Sequence, residues 1–335
     1  MKICVIGAGA IGGLLAVRFA AAGNEVSVVD QGIHLAAIQR DGLTLIGENG
    51  QRENTRLTAV SEVKKIGKQD LIILAVKAHY LDQIAQDLNH IVKKNSILLP
   101  VQNGIPWWYF HKHGGEYEGR SLFTLDPNGI LKKFIDADQI IGCVVYPAAS
   151  SDTAGVIRHV EGDRFPIGEL DGQETERVKR LFDLFNSSSF KSRIISDIRS
   201  EIWLKAWGNM SFNPISALTH STLVDICQFK ETRELSVMMM QEAQIVAEKI
   251  GVTFRHTIEK RVQGAERVGA HKTSMLQDVE EGRSLETEAL IGAILEIATW
   301  TDTPVPSIQA VYACVKLLNK QMLLKNSGIK FSAFG

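Results

Sequence analysis

The stretch EIWLKAWGNMSFNP, residues 201–214, sets Lys205, Asn209 and Asn213 four residues apart among Trp203, Leu204, Met210 and Phe212. On a helix such residues stack along one face, so an ammonium and two amides would share a line across an apolar surface. An ammonium there can donate a proton and stabilise developing negative charge, and amides can hold a carbonyl or hydroxyl in place. The alternative is structural: the amides satisfy buried backbone groups and Lys205 snorkels to water. Pro214 either kinks this helix or ends it. Downstream, SMLQDVEEGRSLETEAL adds Ser274, able to donate to a carboxylate, and Glu286, able to accept from a hydroxyl or to orient Lys205.

The amino terminus carries a different pattern. KICVI, residues 2–6, is a strand-like run followed by Gly7-Ala8-Gly9-Ala10-Ile11-Gly12 and the helical pattern that ends near Gly23. Gly7 permits a tight turn, Gly9 lets a pyrophosphate approach the backbone, and Gly12 allows close packing of the following helix. Residues 7–12 are therefore a candidate dinucleotide-binding loop. EVSVVD gives a second strand ending at Asp30, whose carboxylate suits an unmodified adenosine ribose and would repel a 2′-phosphate. This argues for NAD(H) over NADP(H), the alternative being an Asp that caps the next turn.

DLIILAV, residues 70–76, reads as a buried parallel strand, followed by Lys77 and a helix from about Leu81 to Leu88. At the carboxyl edge of a sheet, Lys77 would meet the nicotinamide side or the pyrophosphate, or else face solvent. SILLPVQNG ends on Gln102, Asn103 and Gly104; Asn103 suits the holding of cofactor and substrate, although Asn-Gly is also a turn signal.

These elements predict an α/β protein: an N-terminal Rossmann-like dinucleotide-binding domain over residues 1–196 and an all-helical C-terminal domain over 197–335. GVIRHV and DRFPIGEL suggest a short antiparallel extension of the first domain, with a helix from near Thr175 and a strand near Ser192. Helical patterns in the second half break near Pro214, Gly251, Gly282 and Pro304-Pro306. Residues 107–128 read as a lid or surface insertion. Its Trp107, Trp108, Tyr109 and Phe110 look exposed and suit packing or an oligomer contact, while His111 and His113 read as surface histidines with no metal-site pattern.

A length of 335 residues favours two domains, and a formal net charge of −1 with no basic run argues against nucleic acid as a partner. The four cysteines, Cys4, Cys143, Cys227 and Cys314, are scattered without CxxC spacing, as expected of reduced core thiols without disulfides or structural zinc. The amino terminus lacks a signal-peptide pattern, and no run approaches 18 apolar residues, so the expectation is a cytoplasmic protein without a membrane span.

GAGAIGG at the start, VK at 76–77, NG at 103–104, EIWLKAWGNMSFNPISAL at 201–218, SMLQD at 274–278 and GRSLETEAL at 282–290 together resemble the 2-dehydropantoate 2-reductase (ketopantoate reductase) family, in order along nearly the whole chain. The resemblance implies a nicotinamide-binding Rossmann domain joined to a helical domain, with a small 2-oxo acid substrate in the cleft. It implies Lys205 as the general acid, Asn209 and Asn213 as substrate-pocket amides, Ser274 as the carboxylate contact and Glu286 as the group that binds the substrate hydroxyl. Lys77 and Asn103 match residues near nicotinamide and substrate. Family members using NADP(H) commonly carry a basic residue where this chain has Asp30 and Gln31, and the 107–128 segment is longer than the compact family pattern. Two other readings stand beside this one: an NAD-dependent dehydrogenase for another branched or apolar 2-hydroxy acid, and a dinucleotide-sensing protein without chemistry. A homodimer is compatible with all three.

Overall fold

The computed structural model describes residues 1–330. The chain forms two compact units, one comprising residues 1–102, 107–121 and 126–198, the other 103–106, 122–125 and 199 onward.

The first unit opens with β1 (Lys2–Ile6), α1 (Ala10–Ala21), β2 (Glu25–Val29), α2 (Gly32–Asp41), β3 (Leu43–Ile46), β4 (Arg52–Thr55), β5 (Thr58–Val60) and β6 (Leu71–Leu74). It continues through α3 (Leu81–Ala85), β7 (Ile97–Pro100), α4 (Ile130–Phe134), β8 (Ile141–Cys143), β9 (Ala148–Thr153), β10 (Val156–Glu161), β11 (Arg164–Glu169), α5 (Glu176–Ser187) and β12 (Lys191–Ile194). Strands β5-β2-β1-β6-β7 make one sheet, parallel throughout, with Val5 opposite Val28 on one side and Ile73 on the other. Residues 3–6 and 71–74 are buried on both faces, as a parallel sheet covered on both sides requires. Strand β1 therefore ends with its carboxyl edge at Gly7, where the candidate dinucleotide loop begins.

Two smaller sheets complete the unit, in the orders β4-β3-β10-β9 and β12-β11-β8. GVIRHV and DRFPIGEL, read as one antiparallel extension, lie in different sheets: β10 pairs antiparallel with β9 and parallel with β3, while β11 pairs antiparallel with β8 and parallel with β12. Thr175 caps α5, its hydroxyl accepting from the Val178 N–H. The helix read as running from Leu81 to Leu88 is α only to Ala85 and tightens into a 3₁₀ turn over Gln86–His90.

The aromatics at 107–110 differ from expectation. Trp108 is 3% exposed and Tyr109 and Phe110 are fully buried, so they are core of the first unit and no free surface. His113 lies beside the rings of Tyr109 and Phe110, and His111 contacts Asp138 at 3.0 Å, so both histidines are half-buried rather than fully exposed.

The second unit is helical: α6 (Ile198–Thr219), α7 (Leu223–Gln228), α8 (Lys230–Lys249), α9 (Ile258–Val268), α10 (Ser274–Glu280), a π-helical turn over Glu288–Gly292, α11 (Ala293–Trp300) and α12 (Pro306–Lys325). Pro214 does not end α6, which continues for five more residues. Lacking an N–H, it leaves the Met210 carbonyl without its usual i+4 donor. None of the described helices is long and apolar enough to cross a membrane.

Cys4, Cys143 and Cys227 are buried, whereas Cys314 is exposed on α12, against the expectation of a core thiol. Burial pushes the Cys4 thiol up to about 12 and that of Cys227 up to about 11. Titration of the native protein with a thiol reagent near pH 8 should accordingly show one fast-reacting cysteine, lost in Cys314→Ser, and four after denaturation. Rapid labelling of more than one native thiol would contradict this packing.

Candidate active site

In the first unit Gly7 and Gly12 stand where a side chain would clash. Gly7 sits at φ +91°, and a Cβ there would stand 2.9 Å from the Val76 nitrogen. A Cβ on Gly12 would overlap the Gly7 carbonyl oxygen, so α1 can begin this close to β1 only without one. A Cβ on Gly9 would meet nothing within 4 Å, and no side chain caps α1 there. The residues thus fit a dinucleotide: backbone N–H groups of the first turn, around Ala10, Ile11 and Gly12, adjoin open space at a helix N-terminus, where a pyrophosphate is favoured.

Asp30 follows β2 and supports this loop directly. Its Oδ2 accepts the Ala8 N–H at 2.7 Å and its Oδ1 accepts the Gln31 N–H at 2.7 Å. His34, four residues on in α2, holds the other backbone group of the same residue: its Nε2 lies 2.7 Å from the Ala8 carbonyl oxygen, and its Nδ1 accepts the Gly155 N–H at 3.0 Å. One neutral tautomer, protonated at Nε2, satisfies both bonds. Sequence reasoning missed His34; its spacing from Asp30 within the opening turn of a helix was the available signal. Gln102, also without an assigned role, donates from Nε2 to the Leu74 and Val76 carbonyls at 2.7 and 2.9 Å. It closes the end of β6, from which Lys77 leads into a short 3₁₀ turn.

In the second unit α6 places Lys205, Asn209 and Asn213 as the spacing predicts. Trp203, Trp207 and Met210 are fully buried on its other faces, while Lys205 and Asn209 are half-buried and Asn213 is 7% exposed. Lys205 Nζ donates to Asn103 Oδ1 at 2.5 Å. Asn103 therefore belongs with the lysine, in the helical unit, although the sequence placed it at a strand end of the cofactor platform. Among the described residues none bonds the side-chain amide of Asn213. The helix start is anchored by Glu201, 2% exposed, which accepts a forked pair of bonds from Arg255.

Asn103 is aimed by its neighbours. Gly104 adopts φ +88°, and a Cβ there would stand 2.5 Å from the Ala289 carbonyl carbon. The adjacent Ile105 N–H donates to the Ala289 oxygen at 2.8 Å. That oxygen is within reach because the helix widens: the Ala293 N–H, its partner in a regular α-helix, bonds Glu288 instead. Glu286 lies just ahead of this π turn, half-buried, its carbonyl accepting the Leu290 N–H. The turn itself is braced from α12, where the Tyr312 hydroxyl donates to Glu288 at 2.8 Å and receives Lys316 Nζ at 2.7 Å. Ser274 is the first residue of α10 and exposed, with Thr273 as its cap. Among the described residues no cluster of ligand-type side chains could hold a metal ion.

Two glycine substitutions should separate these constraints in thermal unfolding. Gly104→Ala, strained in φ and crowded against Ala289, is expected to cost about 2–4 kcal/mol. Gly9→Ala, at a cap with open space beside it, should cost about 1 kcal/mol or less. Equal costs at the two positions would contradict the geometry.

Two models of the ketopantoate reductase PanE/ApbA family match this chain, one over residues 3–172 and the carboxyl-terminal one over 197–319. The 2-dehydropantoate 2-reductase of Mesorhizobium japonicum is 46% identical over 319 residues, which is 95% of this chain and 98% of the relative. A ketopantoate reductase homologue from Ralstonia solanacearum MolK2 superposes with a TM-score of 0.91 at 32% identity, covering 96% of this chain and 98% of its own. A D-mandelate dehydrogenase solved with NADH and anilino(oxo)acetate shares the fold, with a TM-score of 0.83 at 21% identity over 96% of this chain and all of its own. Matched from its glycine loop through α6 and the segment that carries Glu286, the chain belongs to the ketopantoate reductase (PanE/ApbA) family of oxidoreductases.

Proposed function

We propose that the protein reduces 2-dehydropantoate to pantoate with a nicotinamide cofactor, Lys205 serving as general acid. The observation that carries this reading is the Lys205–Asn103 hydrogen bond on a helix that otherwise buries tryptophans. The activity named for the Mesorhizobium relative supports the substrate.

The nicotinamide, when bound, supplies the hydride for the carbonyl carbon. Negative charge then grows on the carbonyl oxygen, and Lys205 Nζ stabilises it and transfers its proton there, completing a two-electron reduction of ketone to alcohol. By accepting one of the three ammonium N–H bonds, Asn103 fixes where the other two point. The amides of Asn209 and Asn213 hold the substrate, the Ser274 hydroxyl donates to its carboxylate, and Glu286 accepts from its terminal hydroxyl. On the cofactor side, residues 7–12 take the pyrophosphate, Lys77 the nicotinamide side or pyrophosphate, and Asp30 the ribose of NAD(H), which it favours over NADP(H).

In this reading residues 1–196 serve the cofactor and 197–335 the substrate and a homodimer contact, in a cytoplasmic enzyme. The second unit carries exposed apolar side chains suited to such a contact, among them Met238 and Ile245 on α8 and Leu317 and Leu324 on α12. The buried aromatics at 108–110 do not contribute to it.

Initial rates with 2-dehydropantoate and either NADH or NADPH test the proposal. Turnover should be faster with NADH, and Lys205→Ala should lower kcat by about 100-fold or more while leaving cofactor affinity within about threefold. Near-parental turnover in that variant would remove Lys205 as the acid. Turnover only with other branched 2-oxo acids would move the assignment to a 2-hydroxy acid dehydrogenase, and cofactor binding without any turnover to a sensor.

A further inference from the structure

Two consecutive peptides of the glycine loop are gripped by side chains from the segment that follows β2. Asp30 accepts the Ala8 N–H at 2.7 Å, so the Gly7–Ala8 peptide turns its carbonyl the other way, to where a Cβ on Gly12 would stand. The next peptide, Ala8–Gly9, is held by its carbonyl, whose oxygen lies 2.7 Å from His34 Nε2. Its bond is trans, so the Gly9 N–H points away from that carbonyl and from the imidazole. Among the described residues none accepts the Gly9 N–H, and a Cβ on Gly9 would meet nothing within 4 Å.

The turn between β9 and β10 decides that His34 donates. Gly155 gives its N–H to Nδ1 at 3.0 Å, while its carbonyl accepts the Thr44 N–H of β3 at 2.9 Å. Gly155 adopts φ +76°, and a Cβ there would stand 3.1 Å from Cβ of Ala37 on α2, so its backbone fits this place without a side chain. A backbone N–H can only donate, so Nδ1 is the acceptor of the neutral ring and Nε2 carries its proton. A hydrogen bond onto a carbonyl polarises the whole peptide and makes the N–H at its other end a stronger donor. Backbone N–H groups are what a pyrophosphate meets at a helix N-terminus.

We infer that His34 is a positioning residue of the cofactor site: held by the β9–β10 turn, it aims the Gly9 N–H at the dinucleotide pyrophosphate and strengthens it as a donor. This rests on residues 7–12 being the pyrophosphate loop, but not on the identity of the substrate or on the role of Lys205.

The test measures calorimetric affinity for NADH, for NADPH and for ADP-ribose, which keeps the pyrophosphate and lacks the nicotinamide, together with thermal unfolding of the free protein. His34→Ala should weaken every ligand that the parental protein binds by the same factor, about tenfold, the worth of one aimed hydrogen bond. His34→Gln, which keeps a donor and an acceptor side by side, should stay within about threefold of the parental affinity. Gly155→Ala, strained in φ, should weaken the same ligands without touching the histidine. Combined with His34→Ala it should add no further loss, because both act through one bond. Parental ADP-ribose affinity in a folded His34→Ala protein would overturn the assignment, as would a glutamine variant no better than the alanine one, since packing alone would then explain the loss. A parental protein that binds none of the three would remove the pyrophosphate loop and the role of His34 with it. His34-dependent ADP-ribose binding in a protein that reduces no 2-oxo acid would remove the reductase reading and leave the positioning role standing.

Discussion

A half-buried ammonium on a helix that buries two tryptophans is the demand around which the helical unit can be read. Lys205 emerges half-buried from a helix whose other faces bury Trp203, Trp207 and Met210, and a charge partly withdrawn from water is costly unless hydrogen-bonded. Its acceptor, Asn103, lies 102 residues away in sequence, so it has to be delivered by a tight connection. Gly104 gives that connection its left-handed turn, and the Ala289 carbonyl receives the Ile105 N–H. The carbonyl is open to it because the helix behind widens into a π turn, which α12 braces through Tyr312 and Lys316. A lysine on one helix thereby depends on the hydrogen-bond register of another.

What was legible in the sequence follows from how local each signal is. The turn at Gly7, the contact of Gly12 and the start of α1 are set within ten residues, so the pattern could be read without knowing the fold. The face carrying Lys205, Asn209 and Asn213 follows from helical geometry alone. By contrast, the pairing of β10 with β3 and of β11 with β12 depends on strands far apart in sequence, and composition could not choose between them. The π turn, the Gly104–Ala289 approach and the insertion of Arg261 beside Gly208 are likewise contacts between distant segments. The run at 107–110 looked like surface because it follows a proline and precedes polar residues, yet its rings pack inward.

Three glycines illustrate one physical device used on three objects. Gly12 lets a helix approach the backbone that precedes it, Gly104 lets a loop rest on a carbonyl, and Gly208 lets a guanidinium lie against a helix. Only the first has its backbone partner, the Gly7 carbonyl, nearby in sequence, so only there could the close contact itself be read from the motif. The others look like a turn residue and a helix weakness until the partner is known.

Asp30 is tied to the shape of the glycine loop more tightly than its place after β2 suggests. Both of its oxygens accept backbone N–H bonds, one of them from Ala8 inside the glycine loop, while His34 holds the carbonyl of that same residue. A carboxylate so engaged is held in place by the backbone on both of its oxygens. It follows that replacing Asp30 by a basic residue to admit NADP(H) would also release the Ala8 N–H and leave His34 as the loop's remaining side-chain anchor at that residue. A change of preference here therefore calls for a residue that keeps an acceptor at position 30 and introduces the positive charge beside it, at Gln31 or beyond, where the backbone of the loop does not depend on the side chain.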